Sequence, residues 1–312
     1  MSKTNDRQPI LVTGAHRSGT TWVGKMLAAG GELAYVSEPM NVMHRPGVMR
    51  QQVESWYQYI SSSNEDSFLP PLSETISLHY HPFAEIKSLR SLKDLLRMGR
   101  DAYTFARGRL FKQRTLLKDP FAVFSAPWFA SRLDCCVVIL VRHPAAFVSS
   151  LKRLGWTFNF RHLLDQPDLM QDVLADYRPQ MEQADNAPDD LIARASLLWN
   201  LIYRVVDGYR RDYPHFSVIR HEDLSLAPLQ KFEKLYQSLG LPFNSRARRR
   251  ILQATGAGNP SEISARRRHS VDLDSRANIK NWQSRLTPHE IDRIRDLTKH
   301  VAPLFYSAED WQ

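Results

Sequence analysis

A short apolar run near the N-terminus leads directly into a glycine-containing turn and then into a helical pattern. Residues 9–13 (PILVT) are apolar and rich in strand-forming side chains, and residues 14–19 (GAHRSG) form the turn. From Thr20 onward apolar side chains recur at helical spacing, and the glycine pair at 30–31 is typical of a helix C-terminus. A strand joined to a helix in this way is typical of α/β proteins, in which parallel strands alternate with helices.

The same alternation continues along the chain. Four further apolar segments are predicted as strands: Leu33–Val36, Thr115–Lys118, Cys135–Val141 and Phe216–Ile219. Helices are predicted at Pro144–Leu154, Leu191–Val206 and Phe232–Leu239. We therefore predict a single α/β domain over residues 1–312, with a central parallel sheet covered by helices on both faces.

Two stretches depart from this alternation. The first covers approximately residues 40–110 and contains a polar loop at 61–66. Pro70-Pro71 is predicted to interrupt any helix there, and a helix is predicted over Leu89–Phe111. We interpret this stretch as a helical and loop insertion over one edge of the sheet. Residues 255–281 have almost no apolar periodicity, which predicts a long loop that becomes ordered on binding.

The charge balance narrows the classes of partner. The chain holds 42 basic and 33 acidic side chains, and its net charge of +9 favours an anionic partner such as nucleic acid, an acidic membrane surface or a nucleotide. The longest apolar run, Cys135–Val141, is far shorter than the roughly 20 residues of a spanning helix. The N-terminal residues are polar and lack the apolar stretch of a signal peptide, so we expect a cytoplasmic protein. Cys135 and Cys136 are expected to be reduced core thiols, and no residue cluster predicts a metal.

The turn at 14–19 has the spacing of a phosphate-binding loop. Its glycines follow a GxxxxG pattern between a strand and a helix, where backbone N–H groups surround a phosphate. A Walker loop would continue with lysine, but Thr20 and Thr21 follow here, and the cation is Arg17 inside the loop. We therefore predict a P-loop-like three-layer α/β/α fold with helical insertions and a phosphate-bearing ligand. A tight turn with an exposed arginine is the alternative.

Residues 17–22 (RSGTTW) resemble the 5′-phosphosulfate loop of sulfotransferases that use 3′-phosphoadenosine 5′-phosphosulfate (PAPS). The resemblance implies that this loop and the preceding histidine bind the donor nucleotide. The implied binding residues are His16, Arg17, Ser18, Gly19, Thr20, Thr21 and Trp22.

A second motif of that family lies on a buried strand and the helix after it. There an arginine at the strand end and a serine eight positions later bind the 3′-phosphate, and Arg142 and Ser150 match this spacing. An arginine fork suits a phosphate dianion, and a serine two turns along the helix adds a hydroxyl donor. The resemblance thus implies that both residues bind the nucleotide.

Three further segments are similar to family motifs. Residues 118–121 (KDPF) resemble the strand-end lysine motif, which implies that Lys118 lies near the transferred sulfuryl group. His221 is at the position where the family has a tyrosine, and the resemblance implies that it contacts the adenine of the donor. Arg276 and Trp282 match the C-terminal loop, about 255–285, that closes over the nucleotide.

The chemistry of sulfuryl transfer assigns roles to three of these positions. Negative charge grows on the departing nucleotide while the acceptor loses a proton, so catalysis needs cations on one side and a base on the other. We expect Arg17 and Lys118 to be the cations and Glu38, which follows the second strand, to be the base. His16 is the alternative base. Lys118 in a structural ion pair and Glu38 as a plain loop carboxylate also remain open.

The sequence thus predicts a PAPS-dependent sulfotransferase that acts on a hydroxyl, most readily of a carbohydrate or glycolipid. Trp56, Tyr57, Tyr59 and residues 156–170 are expected to shape the acceptor pocket. A P-loop small-molecule kinase is the alternative function, although it would need a Walker lysine. A nucleic-acid-binding module would leave the motifs unexplained, so no nucleic-acid partner is expected.

The basic clusters at 246–250 and 266–268 are the remaining features of the charge pattern. The first is interpreted as solvated surface, whereas the second could attract the nucleotide or an anionic acceptor. Peripheral contact with a membrane and the oligomeric state stay open.

Overall fold

A parallel sheet occupies the centre of the computed structural model, which describes residues 8–43, 45–262 and 271–312. Within these residues the sheet has five strands: β1 (Ile10–Gly14), β2 (Leu33–Ser37), β3 (Arg114–Lys118), β4 (Cys136–Val141) and β5 (Ser217–Arg220). Their spatial order is β2-β3-β1-β4-β5, and every neighbouring pair is parallel. The predicted strands and their parallel arrangement are confirmed.

Helices cover both faces of this sheet. In chain order they are α1 (Thr20–Leu27), α2 (Glu65–Ile76), α3 (Pro82–Ile86), α4 (Leu92–Leu110), α5 (Ala126–Leu133), α6 (Pro144–Leu154), α7 (Arg161–Leu164), α8 (Pro167–Leu169), α9 (Arg178–Asn186), α10 (Leu191–Asp212), α11 (His221–Leu226), α12 (Pro228–Ser238), α13 (Ser245–Thr255), α14 (Ser275–Ile279), α15 (Asn281–Arg285) and α16 (Pro288–Thr298). No helix in the described ranges is long and apolar enough to cross a membrane.

The alternation of side chains along the strands divides the core into two layers. Leu11 and Ile139 face a large apolar cluster that includes Trp199 of α10. Val12 and Val138 point to the opposite face, where Phe232 of α12 joins a second cluster. Successive residues of a strand point to opposite faces, so an apolar run such as β4 is buried on both sides. This burial explains the predicted three-layer α/β/α architecture, which is confirmed.

The insertion after β2 differs from its prediction at one point. Pro70 and Pro71 lie inside α2 and do not break it. They are the sixth and seventh of its twelve residues, so the carbonyls of Asp66 and Ser67 lack their usual helical donors while the helix continues on both sides. The predicted helix over 89–111 is confirmed as α4.

The C-terminal region carries short helices where the sequence predicts a loop. Of residues 255–285, the described part includes α14 and α15. The side chain of Asp274 caps α14 by accepting a hydrogen bond from the Ala277 N–H. The cluster at 266–268 lies outside the described residues. Arg248 and Arg250 of the other cluster lie on α13 and pair with Glu233 and Asp272.

All five strands end at the same edge of the sheet, since they run in one direction. The loops after β1, β2, β3 and β4, together with the start of α11 after β5, therefore meet there. This edge is where open α/β sheets bind ligands.

Gly14 ends β1 in a conformation that requires glycine. Its φ is 140°, and a Cβ at this position would lie 2.4 Å from the carbonyl oxygen of Leu140. We predict that Gly14→Ala lowers the free energy of unfolding by roughly 1–3 kcal/mol, measured by urea denaturation. Gly99→Ala, in the exposed middle of α4 with no atom within 4 Å, should instead stabilise the protein by about 0.5–1 kcal/mol. Equal effects at the two positions would contradict the assignment.

Candidate functional site

A cavity of about 1060 Å³ opens at the edge where the strands end. The loops after β1 to β4 form its floor, and the segments 150–162 and 271–285 form its walls. Ten residues singled out from the sequence line it: His16, Arg17, Gly19, Thr20, Thr21, Trp22, Glu38, Arg142, Ser150 and His221. The loops of four different strands thus bring most of the predicted residues together.

The loop between β1 and α1 leaves a helix N-terminus open to the cavity. Arg17 has a φ of 67° and Gly19 a φ of 97°, so the chain turns sharply before α1 begins at Thr20. Gly19 caps α1 without a side-chain hydrogen bond, and the first turn has no acidic residue. The N–H groups and the positive end of the helix dipole are therefore directed at the cavity, where an anion is stabilised.

A second constraint fixes glycine at position 19. A Cβ there would lie 2.5 Å from Nδ1 of His221. The His221 ring is half-buried and packs edge-on against Trp22, with 5.2 Å between ring centroids. Burial, followed by the nearby Arg142 charge, lowers the pKa of His221 to about 3, so the ring is neutral at neutral pH.

Four guanidinium groups line one end of the cavity. They belong to Arg17, Arg142, Arg153 and Arg285. Arg17 Nε donates to Ser150 Oγ at 3.1 Å, and Arg142 Nη1 donates to the carbonyl oxygen of Arg17 at 2.6 Å. Burial and the charges of the other three arginines lower the pKa of Arg17 to about 10. Positive charge is thus concentrated here, and an anionic ligand would relieve the repulsion.

The carboxylates around this cluster are few. Glu262 contacts Arg285 at 2.6 Å and Arg153 at 3.6 Å, and Glu222 lies buried behind Arg142. The Nε atom of Arg142 is buried and has no hydrogen-bond partner among the described residues. A donor left in this state is costly unless a ligand accepts from it. The cluster therefore has the properties of an anion site.

Glu38 and Lys118 form an ion pair at the ends of β2 and β3. Lys118 Nζ donates to Glu38 Oε1, and Asn41 Nδ2 donates to Glu38 Oε2 at 2.7 Å. Burial alone would raise the pKa of Glu38, but the Lys118 charge and these hydrogen bonds hold it below its usual range. Glu38 lines the cavity as an ionised carboxylate. Lys118 is only 2% exposed and lies beneath it, outside the cavity wall.

The backbone fixes the position of Glu38. Its N–H donates to the carbonyl oxygen of Lys118 at 2.7 Å, and its φ is 52°. Next to it the buried Asp119 accepts from the N–H groups of Met40 and Phe121, at 2.5 and 3.0 Å. Burial and the Glu38 charge raise the pKa of Asp119 to about 7. Asp119 thus fastens the loop after β2 to the loop after β3.

His16 is held by a tyrosine from the insertion. The Tyr57 hydroxyl accepts from the His16 backbone N–H at 3.1 Å and lies 2.6 Å from His16 Nδ1. Burial lowers the pKa of His16 to about 4 and raises that of Tyr57, so both groups are neutral at neutral pH. The Tyr57 hydroxyl is fully buried, and donation of its proton to Nδ1 would satisfy it, which favours the tautomer of His16 with the ring hydrogen on Nε2.

Aromatic side chains form the wall on the Glu38 side of the cavity. Trp56 and Phe121 have ring centroids 4.2 Å apart, and Trp156 and Phe158 also line the cavity. Polar side chains of Asn41, Asn159 and His162 lie among them. Tyr59, predicted to shape this pocket, does not line the cavity and instead donates to Asp172 at 3.3 Å.

Four predicted site residues lie elsewhere. Ser18 is buried within the turn, where its N–H donates to the carbonyl oxygen of Ala15, and Lys118 lies beneath Glu38. Arg276 is exposed, and its Nε donates to the carbonyl oxygen of Leu226 at 3.2 Å. Trp282 is buried and stacks on His143, with 5.1 Å between ring centroids. Neither Arg276 nor Trp282 lines the cavity.

Sequence reasoning missed three residues of this site: Asp119, Arg153 and Arg285. Arg285 lines the cavity, whereas Arg276, which the motif spacing indicated, does not and instead donates to Leu226. Arg153 lies one helical turn after Ser150 on the same helix, a spacing that could have indicated it. Asp119 acts through contacts that only the folded chain brings about. Tyr57, expected to shape the acceptor pocket, does not line the cavity and instead contacts His16. The described residues contain no group of metal-binding side chains.

Solved structures and a curated relative are similar to this chain. A sulfotransferase domain from the curacin biosynthetic pathway covers 94% of the chain and 98% of its own length at 15% identity, with a TM-score of 0.47. The mouse sulfotransferase SULT7A1, solved with PAP, covers 97% of the chain and 86% of its own length at 12% identity, with a TM-score of 0.48. Carbohydrate sulfotransferase 1 of Danio rerio is 29% identical over 86 residues, which span 28% of this chain and 20% of that relative.

A family model matches a much larger part of the chain. The model for the sulfotransferase family covers residues 9–245, which include the loop after β1, the Arg142 and Ser150 pair and the Glu38–Lys118 ion pair. The family expected from the sequence motifs is therefore confirmed, and the chain belongs to the sulfotransferase family.

Proposed function

We propose that this sulfotransferase moves a sulfuryl group from PAPS to a hydroxyl of a carbohydrate or glycolipid. The observation that carries the proposal is the arginine cluster at 17, 142, 153 and 285, which shares one cavity with the ionised Glu38. A donor with two phosphate groups and a sulfuryl group offers the negative charge that such a cluster accommodates. The donor would therefore bind at the arginine end of the cavity, and the acceptor would bind beside Glu38.

The donor fits the residues around α1. The open N-terminus of α1 and Arg17 suit the 5′-phosphosulfate, and Arg142 with Ser150 suits the 3′-phosphate. The partnerless Nε of Arg142 supports this assignment, because a phosphate oxygen would accept from it. His221 and Trp22 form an aromatic surface at the same end for the adenine. Arg285 replaces Arg276 as the cation of the C-terminal segment.

Bound PAPS supplies an activated sulfuryl group whose sulfur the acceptor oxygen attacks, with cleavage of the bond between sulfur and the phosphate oxygen. Glu38 takes the proton of the acceptor hydroxyl, since its carboxylate is ionised and faces the cavity. Arg17 and the N–H groups of α1 stabilise the charge that develops on the phosphate oxygen. Lys118 holds Glu38 in place from below and lies too deep to line the cavity.

The aromatic wall supports a saccharide acceptor. Trp56, Phe121 and Trp156 offer flat apolar surfaces, and Asn41 and Asn159 offer hydrogen bonds beside them. Sugars have apolar C–H faces and polar edges, so they match a site of this mixed character. The partial match to Carbohydrate sulfotransferase 1 of Danio rerio supports the same class of acceptor.

Adenosine 3′,5′-bisphosphate, the product nucleotide, tests the donor site. It should raise the melting temperature, since a ligand at about 100 times its Kd stabilises the folded state by about 2.7 kcal/mol. Arg142→Ala should abolish this shift, whereas the exposed Arg276→Ala should retain it. A larger shift with ATP and magnesium than with the bisphosphate would favour the kinase alternative and overturn the proposal.

Glu38→Gln tests the base. The amide cannot take a proton, so kcat should fall by about 10²–10⁴, while the bisphosphate still raises the melting temperature. Glu54→Gln, a matched change at an exposed position of the insertion, should leave kcat unchanged. If Glu38→Gln binds the nucleotide and retains full kcat, another group is the base.

His16→Gln separates the two candidate bases. With its hydrogen on Nε2, His16 acts as a hydrogen-bond donor, a role that the glutamine amide can keep. We therefore expect kcat within about tenfold of wild type, far above that of Glu38→Gln. His16→Phe, which has no donor, should have lower kcat than His16→Gln. A loss in His16→Gln as large as that in Glu38→Gln would assign the base to His16.

A further inference from the structure

The outer face of α4 is apolar, although it faces away from the protein. Leu92, Leu96 and Leu110 have 75–80% of their surface exposed, and Tyr103 has 66%. Together with Leu95 they recur at intervals of three, four and seven residues, which places them on one stripe of the helix. The opposite side of α4 carries the buried residues Asp101, Phe105 and Gly108. The helix is therefore packed on one side and exposes leucines on the other.

Cations flank this apolar stripe. Lys93, Arg100 and Arg107 lie on α4 along one edge of the stripe, and Arg109 lies along the other. Between residues 82 and 112 the chain has eight basic and three acidic side chains, and of the acids Glu85 is buried and accepts from the Gly47 N–H. Arg100 contacts Asp101 at 3.2 Å, whereas Lys93 is in no ion pair among the described residues. An apolar stripe bordered by lysine and arginine is typical of helices that lie in a membrane interface.

The apolar surface continues beyond the ends of the helix. Phe83 of α3 is 82% exposed, and Phe111, directly after α4, is 65% exposed. The helix itself is roughly 28 Å long, from its 19 residues. Exposed apolar surface over such a length is uncommon on a soluble monomer and marks an interaction site.

We propose that the outer face of α4 binds the surface of an anionic bilayer. The leucines and Phe83 would enter the boundary between headgroups and acyl chains, and the flanking cations would contact anionic headgroups. A second copy of the chain is a poorer occupant, since the cations of the two copies would face each other across a symmetric contact. The net charge of +9 acts in the same direction.

The inner side of α4 connects this face to the candidate active site. Asp101 accepts from Arg45 Nη1 at 2.5 Å, and Arg45 Nη2 donates to the carbonyl oxygen of Ser37. Ser37 directly precedes Glu38 at the end of β2. The helix proposed to contact the membrane is thus joined through Arg45 to the end of the strand that directly precedes Glu38.

Cosedimentation with lipid vesicles tests the proposal independently of activity, so its failure would leave the proposed reaction intact. The full chain should sediment with phosphatidylcholine vesicles that contain about one third phosphatidylglycerol, and bind pure phosphatidylcholine at least about tenfold more weakly. Raising the salt from about 0.1 M to about 1 M should weaken binding. Failure to bind the anionic vesicles at the lower salt would overturn the proposal.

Variants of exposed residues locate the contact. Leu92→Glu with Leu96→Glu should reduce binding to anionic vesicles by at least about tenfold, without a change in melting temperature or in the bisphosphate shift. Leu252→Glu is the matched control, since Leu252 is 52% exposed on α13 and should bind like wild type. Unchanged vesicle binding in the double variant, with conversion of a wild-type dimer to a monomer, would assign the face to a second copy and overturn the proposal.

Discussion

The hydrogen bond from Arg142 to the carbonyl oxygen of Arg17 joins the ends of the two central strands, β1 and β4. It holds the loop after β1 in its left-handed turn, and the same turn sends the Arg17 side chain to Ser150 on α6. Together with the Tyr57 contact to His16, this contact between neighbouring strand ends holds the loop and the two cations in place. The remaining parts of the cavity are arranged around this contact.

The sequence allowed the parts of the site that lie on regular elements to be predicted. The loop after β1, and Arg142 with Ser150, follow strands and helices whose apolar patterns are plain, so their spacing carries over into space. Asp119 and Arg285 were missed, because their roles depend on contacts between segments far apart in the chain. The break predicted at Pro70-Pro71 was wrong, since α2 continues through both prolines although two helical hydrogen bonds are missing in its middle.

The position of Lys118 differs from the one expected for a residue that contacts the sulfuryl group. The expected place beside the sulfuryl group would have made it a second cation for the reaction. Instead it is buried under Glu38, where it keeps the carboxylate ionised and fixed. The positive charge that faces the cavity comes from arginines, whose planar forks suit phosphate better than an ammonium does.

The neutral histidines of the site also link folding to the proton concentration. His16 and His221 have pKa values of about 4 and about 3 in the folded chain, against an ordinary value of about 6.5. Their contribution to stability is therefore fully present above about pH 6.5 and is lost as the pH falls toward the folded values, since the unfolded chain binds protons that the folded chain rejects. Protons thus act as ligands of the unfolded state, and they act on the loop that is proposed to hold the donor.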